Sequence, residues 1–233
     1  MYSVGLLLCL FFIYSFLGYV TEVLSVYNSQ HTFVFSRGYL IGPYIPIFGI
    51  GSILMSYFLT PYKNDLIALF VLCLTICCLL EYFTSLVMEK IFKLRWWDYS
   101  QKKFNINGRV CLEYGVMFGF GGIVIVKFVN PLLIDILLSL PSLFVITFGF
   151  TMGFIMLTDF IISTYTLLQL KIDFNVFVEK DSTVRIKKEI MNSLEKYHFF
   201  HKRLFRAFPN ILKNKSMLEL FNVSEKSAKD NPS

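Results

Sequence analysis

LIALFVLCLTICCLLEYFTSLVM, residues 66–88, decides the fold class of this chain. It exceeds the roughly 20 apolar residues that a helix needs to cross a ~30 Å hydrocarbon core, and Glu81 is the only charge within it. Stretches at 4–26, 37–59, 112–129 and 142–168 repeat the pattern, and 55% of the residues are hydrophobic while only 16% are charged. Soluble domains average about 45–50% and 25%. The expectation is an all-α, polytopic membrane helix bundle of about five spans over residues 1–170, interrupted by a loop at 89–111. A basic amphipathic helical region at 171–209 follows, and 210–233 has a disorder-prone composition.

Charge orients this bundle. Of the 22 Lys and Arg, 13 lie after Leu170 and 6 between Lys90 and Arg109. Basic residues collect in cytoplasmic loops, so a plasma-membrane protein with its N-terminus outside and its C-terminus inside is predicted. In the tail, Ile186, Ile190, Leu194, Tyr197, Leu204 and Phe208 recur at helical spacing among Lys and Arg, predicting a helix over Val184–Phe208. The partners this implies are membrane lipids, above all anionic headgroups at the cytoplasmic face. No nucleic-acid-binding motif accompanies the basic charge, and nucleic acid is not expected as a partner.

The segments differ in quality. The first aligns Phe11, Ser15, Gly18, Glu22 and Ser25 on one stripe, which should face protein. The second, RGYLIGPYIPIFGIGSILMSYFL, carries Pro43 and Pro46 and is predicted to be broken, because each proline removes a donor and frees a carbonyl that lipid cannot satisfy. The third puts Glu81 and Ser85 on one face, with Glu89 a turn further on. The fourth has Gly115, Gly119 and Gly122 at the spacing that lets helices approach closely. The proline-bounded piece at 130–141 reads as an interfacial connector, and the fifth segment sets Asp159 on a face with Met152, Met156, Ser163 and Thr166.

The densest specific chemistry is EYFTSLVMEKIFKLRWWDYSQKKFNINGR, residues 81–109. A charge at a helix centre costs roughly 2.5–3.5 kcal/mol on insertion scales, so retained carboxylates want partners or water. Glu22, Glu81, Glu113 and Asp159 all fall toward the cytoplasmic side, where Arg37, Arg95 and Arg109 also enter. With Trp96, Trp97, Asp98, Tyr99 and Asn105 they make up a candidate cytoplasm-facing polar pocket, the Asn107-Gly108 turn folding the loop back. Glu81 lies about 10 Å deep at 1.5 Å per residue, and pairing with Arg37, Arg95 or Arg109 is expected, Arg37 first. The competing reading is a set of structural ion pairs that fix helix register. Interface-anchoring aromatics explain Trp96 and Trp97 equally well.

Cys9, Cys73, Cys77, Cys78 and Cys111 read as small hydrophobes, and the three His are too scattered for metal spacing. Neither metal nor cofactor is expected. No Walker A pattern, zincin motif, nucleophile elbow or dinucleotide fingerprint is present. Transport with carboxylates as cation or proton sites remains open. So does a membrane-embedded enzyme acting on a lipid or lipid-linked substrate, with Glu81 or Asp98 as base and an arginine on the anionic headgroup, and so does a membrane scaffold or regulator.

The succession RGYLIGPYIPIFGIG (37–51), LEYFTSLVMEKIFKLRWWDYSQKKFNINGR (80–109) and HKRLFRAFP (201–209) resembles the CmpB-type "putative ABC-transporter type IV" membrane domain, an ABC-transporter-permease-like family. The resemblance runs from the first span to about Pro209. It implies a transport component and, as partner, a separate ATPase subunit or another membrane protein. It carries no substrate or catalytic residue over to this chain.

Overall fold

The computed structural model describes residues 3–31, 38, 40–92 and 95–180. Arg37 and the expected tail helix lie outside these residues. Helix α1 (Val4–Gln30) is capped by the Ser3 side chain, which accepts from the Leu6 amide. After it come α2 (Pro46–Leu59), a 3₁₀ turn at Thr60–Tyr62, α3 (Leu66–Phe92), a short hairpin of β1 (Asn105–Ile106) and β2 (Val110–Cys111), α4 (Leu112–Val124), a π-helical turn at Ile125–Val129, α5 (Asn130–Ser139) and α6 (Ser142–Lys180).

Glycine contacts set the helix directions. Gly5 backs onto Ile146 and Gly153 onto Leu8, so α1 and α6 run parallel. Gly18 meets Phe48 and Gly49 meets Ser15 and Phe11, which makes α2 antiparallel to α1. Gly51 meets Leu80 while Met55 and Leu59 pack with Leu69 and Cys73, so α3 reverses again. Gly115 against Cys78 and Gly119 against Phe70 turn α4 back along α3. The chain therefore makes five alternating passes, and the 95–111 hairpin shares one end of the bundle with the C-terminal end of α6, opposite Val4.

Four of those passes are helices long and apolar enough to cross a membrane: Val4–Ser25, Leu66–Phe92, Leu112–Ser139 and Ser142–Leu168. The second pass is different. Its helix begins only at Pro46, a proline at the first helical position, and has 14 residues, about 21 Å at 1.5 Å per residue. The break expected from Pro43 and Pro46 is there.

The connector expected at 130–141 is not. The fourth pass continues through it to Ser139. Pro131 withdraws an amide from the helical ladder, and the π turn absorbs the loss: the Asn130 amide reaches five residues back to the Ile125 carbonyl. The Asn130 side chain, buried, accepts a 3.0 Å hydrogen bond from Tyr14 Oη across the bundle. Leu137 at the end of α5 joins Leu6, Cys9, Leu10, Tyr14 and Val145 in one apolar cluster. A second cluster, Met55, Leu59, Leu69, Cys73 and Val126, fills the same half of the bundle.

Candidate functional site

The three buried charged residues among those described, Glu81, Arg109 and Asp159, occupy the stretch from the middle of the bundle to the hairpin end. The hairpin itself is locally determined. Asn107 and Gly108 both have positive φ (53° and 67°), and the Arg109 amide donates to the Ile106 carbonyl, closing a turn of the primed type that suits a right-twisted ladder. Gly108 is required twice over, since a Cβ there would also lie 2.6 Å from Asp98 Oδ1. Asn105 holds the loop from within, its Nδ2 donating to the Lys102 carbonyl (2.7 Å) and its Oδ1 accepting from the Gly108 amide (3.0 Å).

The loop is fastened to α3 by a charged cluster. Arg109 Nη1 lies 2.6 Å from Glu89 Oε2 and donates to Ser85 Oγ at 3.3 Å, with its guanidinium 5.8 Å from the centre of the Tyr82 ring. Arg95 Nε donates to the same Glu89 oxygen at 3.1 Å, and its Nη1 lies 3.5 Å from Asp98 Oδ1. Trp97 Nε1 donates to the Arg109 carbonyl at 2.9 Å, and Trp96 packs edge-on against Phe92. Burial pushes Asp98 up, but hydrogen bonds from the Ser100 side chain and amide and the charge of Arg95 outweigh it and hold the carboxyl below its usual range.

Glu81, a turn below Ser85 on α3, meets a tyrosine. Tyr99 Oη donates to Glu81 Oε1 at 3.1 Å, while Glu81 Oε2 is buried with no hydrogen-bond partner among the described residues. The Tyr99 ring stacks on Tyr114 of α4 at 4.8 Å between centroids. Burial, reinforced by Glu81, pushes the Tyr99 hydroxyl far above its ordinary range, so it stays a donor. Of the arginines expected at Glu81, Arg95 and Arg109 are engaged by Glu89 instead.

Asp159 on α6 is the opposite case. Its Oδ1 accepts from the Ile41 amide (2.9 Å) and Ser163 Oγ (2.8 Å), and its Oδ2 from the Gly42 amide (2.8 Å) and Tyr44 Oη (2.6 Å). Four donors thus converge on one carboxylate, and two of them are backbone amides of the stretch before α2 that no helix could use. The Ile45 amide completes the junction by donating to the Ser15 carbonyl of α1 at 2.9 Å.

The expected pocket residues thus divide. Glu81, Arg95, Trp97, Asp98, Tyr99, Asn105 and Arg109 are drawn together by the hairpin, with Trp96 beside them. Glu113 sits apart, in an exposed ion pair with Lys102 Nζ at 2.9 Å. Asp159 serves the broken second pass, and Glu22 is half-buried on α1. Not expected in the site were Glu89, the hub of the arginine cluster, and Tyr44. Glu89 follows Glu81 and Ser85 at four-residue steps, so periodicity alone could have found it, but nothing local marks Tyr44. No cluster of three or more His, Cys, Asp or Glu among the described residues could hold a metal ion.

A family model described as "Putative ABC-transporter type IV" matches residues 9–164, from the first turns of α1 into α6. The chain belongs to this family. It is accordingly a multi-pass membrane protein of an ABC-transporter-related group. Neither a curated protein nor a solved structure matches the chain.

Proposed function

We propose that the protein is the permease-like, membrane-embedded component of a transporter, oriented with the hairpin end in the cytoplasm. The observation that carries the reading is the second pass. A helix interrupted near mid-depth, with a buried carboxylate at the break, is the arrangement by which transporters place polar chemistry inside a bilayer. Lipid-exposed polar backbone is not tolerated there, so the break is held inside the protein. In this reading the Glu81, Glu89, Tyr99 and Arg109 cluster is the cytoplasm-facing end of the site, and the hairpin locked onto α3 is a rigid surface for a second subunit. Energy must come from that subunit, since the chain contains no nucleotide-binding motif. Purification of the full chain from gently solubilised membranes tests this. The expected outcome is a stoichiometric ATPase subunit whose hydrolysis depends on the hairpin and falls when Arg109 and Glu89 are exchanged for alanine. A chain that purifies alone and converts a lipid substrate would transfer the site to the inner-leaflet enzyme reading.

A further inference from the structure

Glu81 and Asp159 are both buried carboxyls near mid-bundle, each 8% exposed, yet they are solvated oppositely by the protein. Asp159 has four donors. Glu81 has one, the neutral Tyr99 hydroxyl on Oε1, and nothing on Oε2. Among the described residues, the surroundings of Glu81 supply no compensating cation. On α3 itself stand Cys77 and Cys78, and beyond Ser85 the Glu89 carboxylate, which takes up Arg95 and Arg109. From the hairpin and α4 come Cys111, Tyr99 and Tyr114, while Glu113 is spent on Lys102. Helix α2 offers only Tyr57, which is exposed, and the Asp159 of α6 is already saturated. An ionised carboxylate with one neutral partner in a low-dielectric interior costs several kcal/mol, more than burying one unpartnered O–H of the acid does.

We propose that Glu81 is a proton-binding site: a neutral carboxylic acid at physiological pH whose Oε1 is the carbonyl oxygen held by Tyr99 and whose Oε2 carries an exchangeable proton. The division of labour between the two oxygens follows from the geometry: Tyr99 Oη donates to Oε1, which makes that oxygen the acceptor and leaves the proton to Oε2. Asp159, by contrast, stays ionised, since each of its oxygens meets a backbone amide that can only donate. Two carboxyls with environments this different separate into one that moves a proton and one that does not. The inference rests on the contacts of Glu81 and stands independently of the transport reading.

Two measurements on the reconstituted full chain test it. Infrared spectroscopy should show the carbonyl stretch of a protonated carboxylic acid at neutral pH that is missing in Glu81→Gln and moves to higher frequency in Tyr99→Phe, where the hydrogen bond to Oε1 is lost. A membrane-soluble carbodiimide, to which only the acid form adds its O–H across a C=N bond, should label the unmutated chain at Glu81 roughly tenfold or more over Asp159, the ratio a single unit of pKa difference produces. Because labelling needs no variant, poor folding of Glu81→Gln does not obscure it. A neutral-pH spectrum with no acid band, or equal labelling at the two positions, overturns the proposal and leaves Glu81 an anion whose second oxygen meets a bound cation.

Discussion

Asp159→Asn is the substitution whose cost the structure defines most closely. The amide is the same shape as the carboxylate but has one acceptor oxygen, so it can serve only one of the two pairs of donors. With the oxygen toward Ile41 and Ser163, the amide NH₂ confronts the Gly42 amide and Tyr44 Oη. Reversed, it confronts the Ile41 amide and Ser163 Oγ. In either case the hydroxyl can turn and accept, but a backbone amide cannot, so one N–H is left unsatisfied. An orphaned buried donor costs about 1–3 kcal/mol, and the remaining bonds fall from charge-assisted to neutral strength, about 1 kcal/mol less each. The desolvation cost of the buried charge is relieved at the same time, so the net cost should be about 2–4 kcal/mol. Tyr44→Phe removes one of four donors and leaves Oδ2 its bond from the Gly42 amide, and should cost about 1.5–3 kcal/mol. The pair should be non-additive, because Asp159 and Tyr44 share one hydrogen bond that either substitution alters. Equilibrium unfolding in mixed micelles, followed by helical circular dichroism, measures all three. If Asp159→Asn unfolds within about 0.5 kcal/mol of the parent chain, the four-donor clamp is not what holds the broken second pass.

Other consequences are quicker to test. Glu89→Ala leaves Arg109, 9% exposed, facing only Ser85 and an aromatic ring; a loss of about 3 kcal/mol or more in the same unfolding assay is expected, and Glu89→Ala paired with Arg109→Leu should recover part of it. Gly49→Leu drives a side chain into Ser15 and to 2.7 Å from the Phe11 carbonyl, which backbone cannot yield, so the α1–α2 contact should fail with a cost of about 1–3 kcal/mol or more, read as lost expression of folded protein. Trp96 and Trp97 are the chain's two tryptophans, so indole emission reports on the hairpin alone. Because the Asp98 carboxyl is held below its ordinary value of 3.8, its contribution is present above that value and is lost as pH falls through the lower folded-state value. Emission should therefore be steady from neutrality down to the ordinary value and shift only below it, and an emission change centred well above it would refute the Asp98 network.

Helix class, pass number and the interruption of the second pass were legible in the sequence because each rests on a local rule: apolar length, helical period, and the missing amide of proline. The same rule misled at Pro131. There the helix continues through a π turn and is pinned across the bundle by a hydrogen bond from Tyr14 to the Asn130 side chain, 116 residues away in sequence, which no local pattern announces. The site followed the same division. The Asn107-Gly108 turn and the crowd of polar residues around it declared themselves, since turn chemistry is written in adjacent residues. Which carboxylate met which arginine did not, because pairing depends on where α3 stands relative to a folded loop. Glu81 lies deepest and would gain most from an arginine, yet Arg109 stops at Glu89, two turns nearer the hairpin end, where a shorter reach and less desolvation favour the ion pair. That arrangement leaves the deeper position to a tyrosine, whose hydroxyl can be carried into the bundle at far lower cost than a guanidinium. A gradient in desolvation along one helix face therefore sorts the charged partner to the rim and the neutral partner to the interior, and it is this sorting that gives Glu81 a neutral donor.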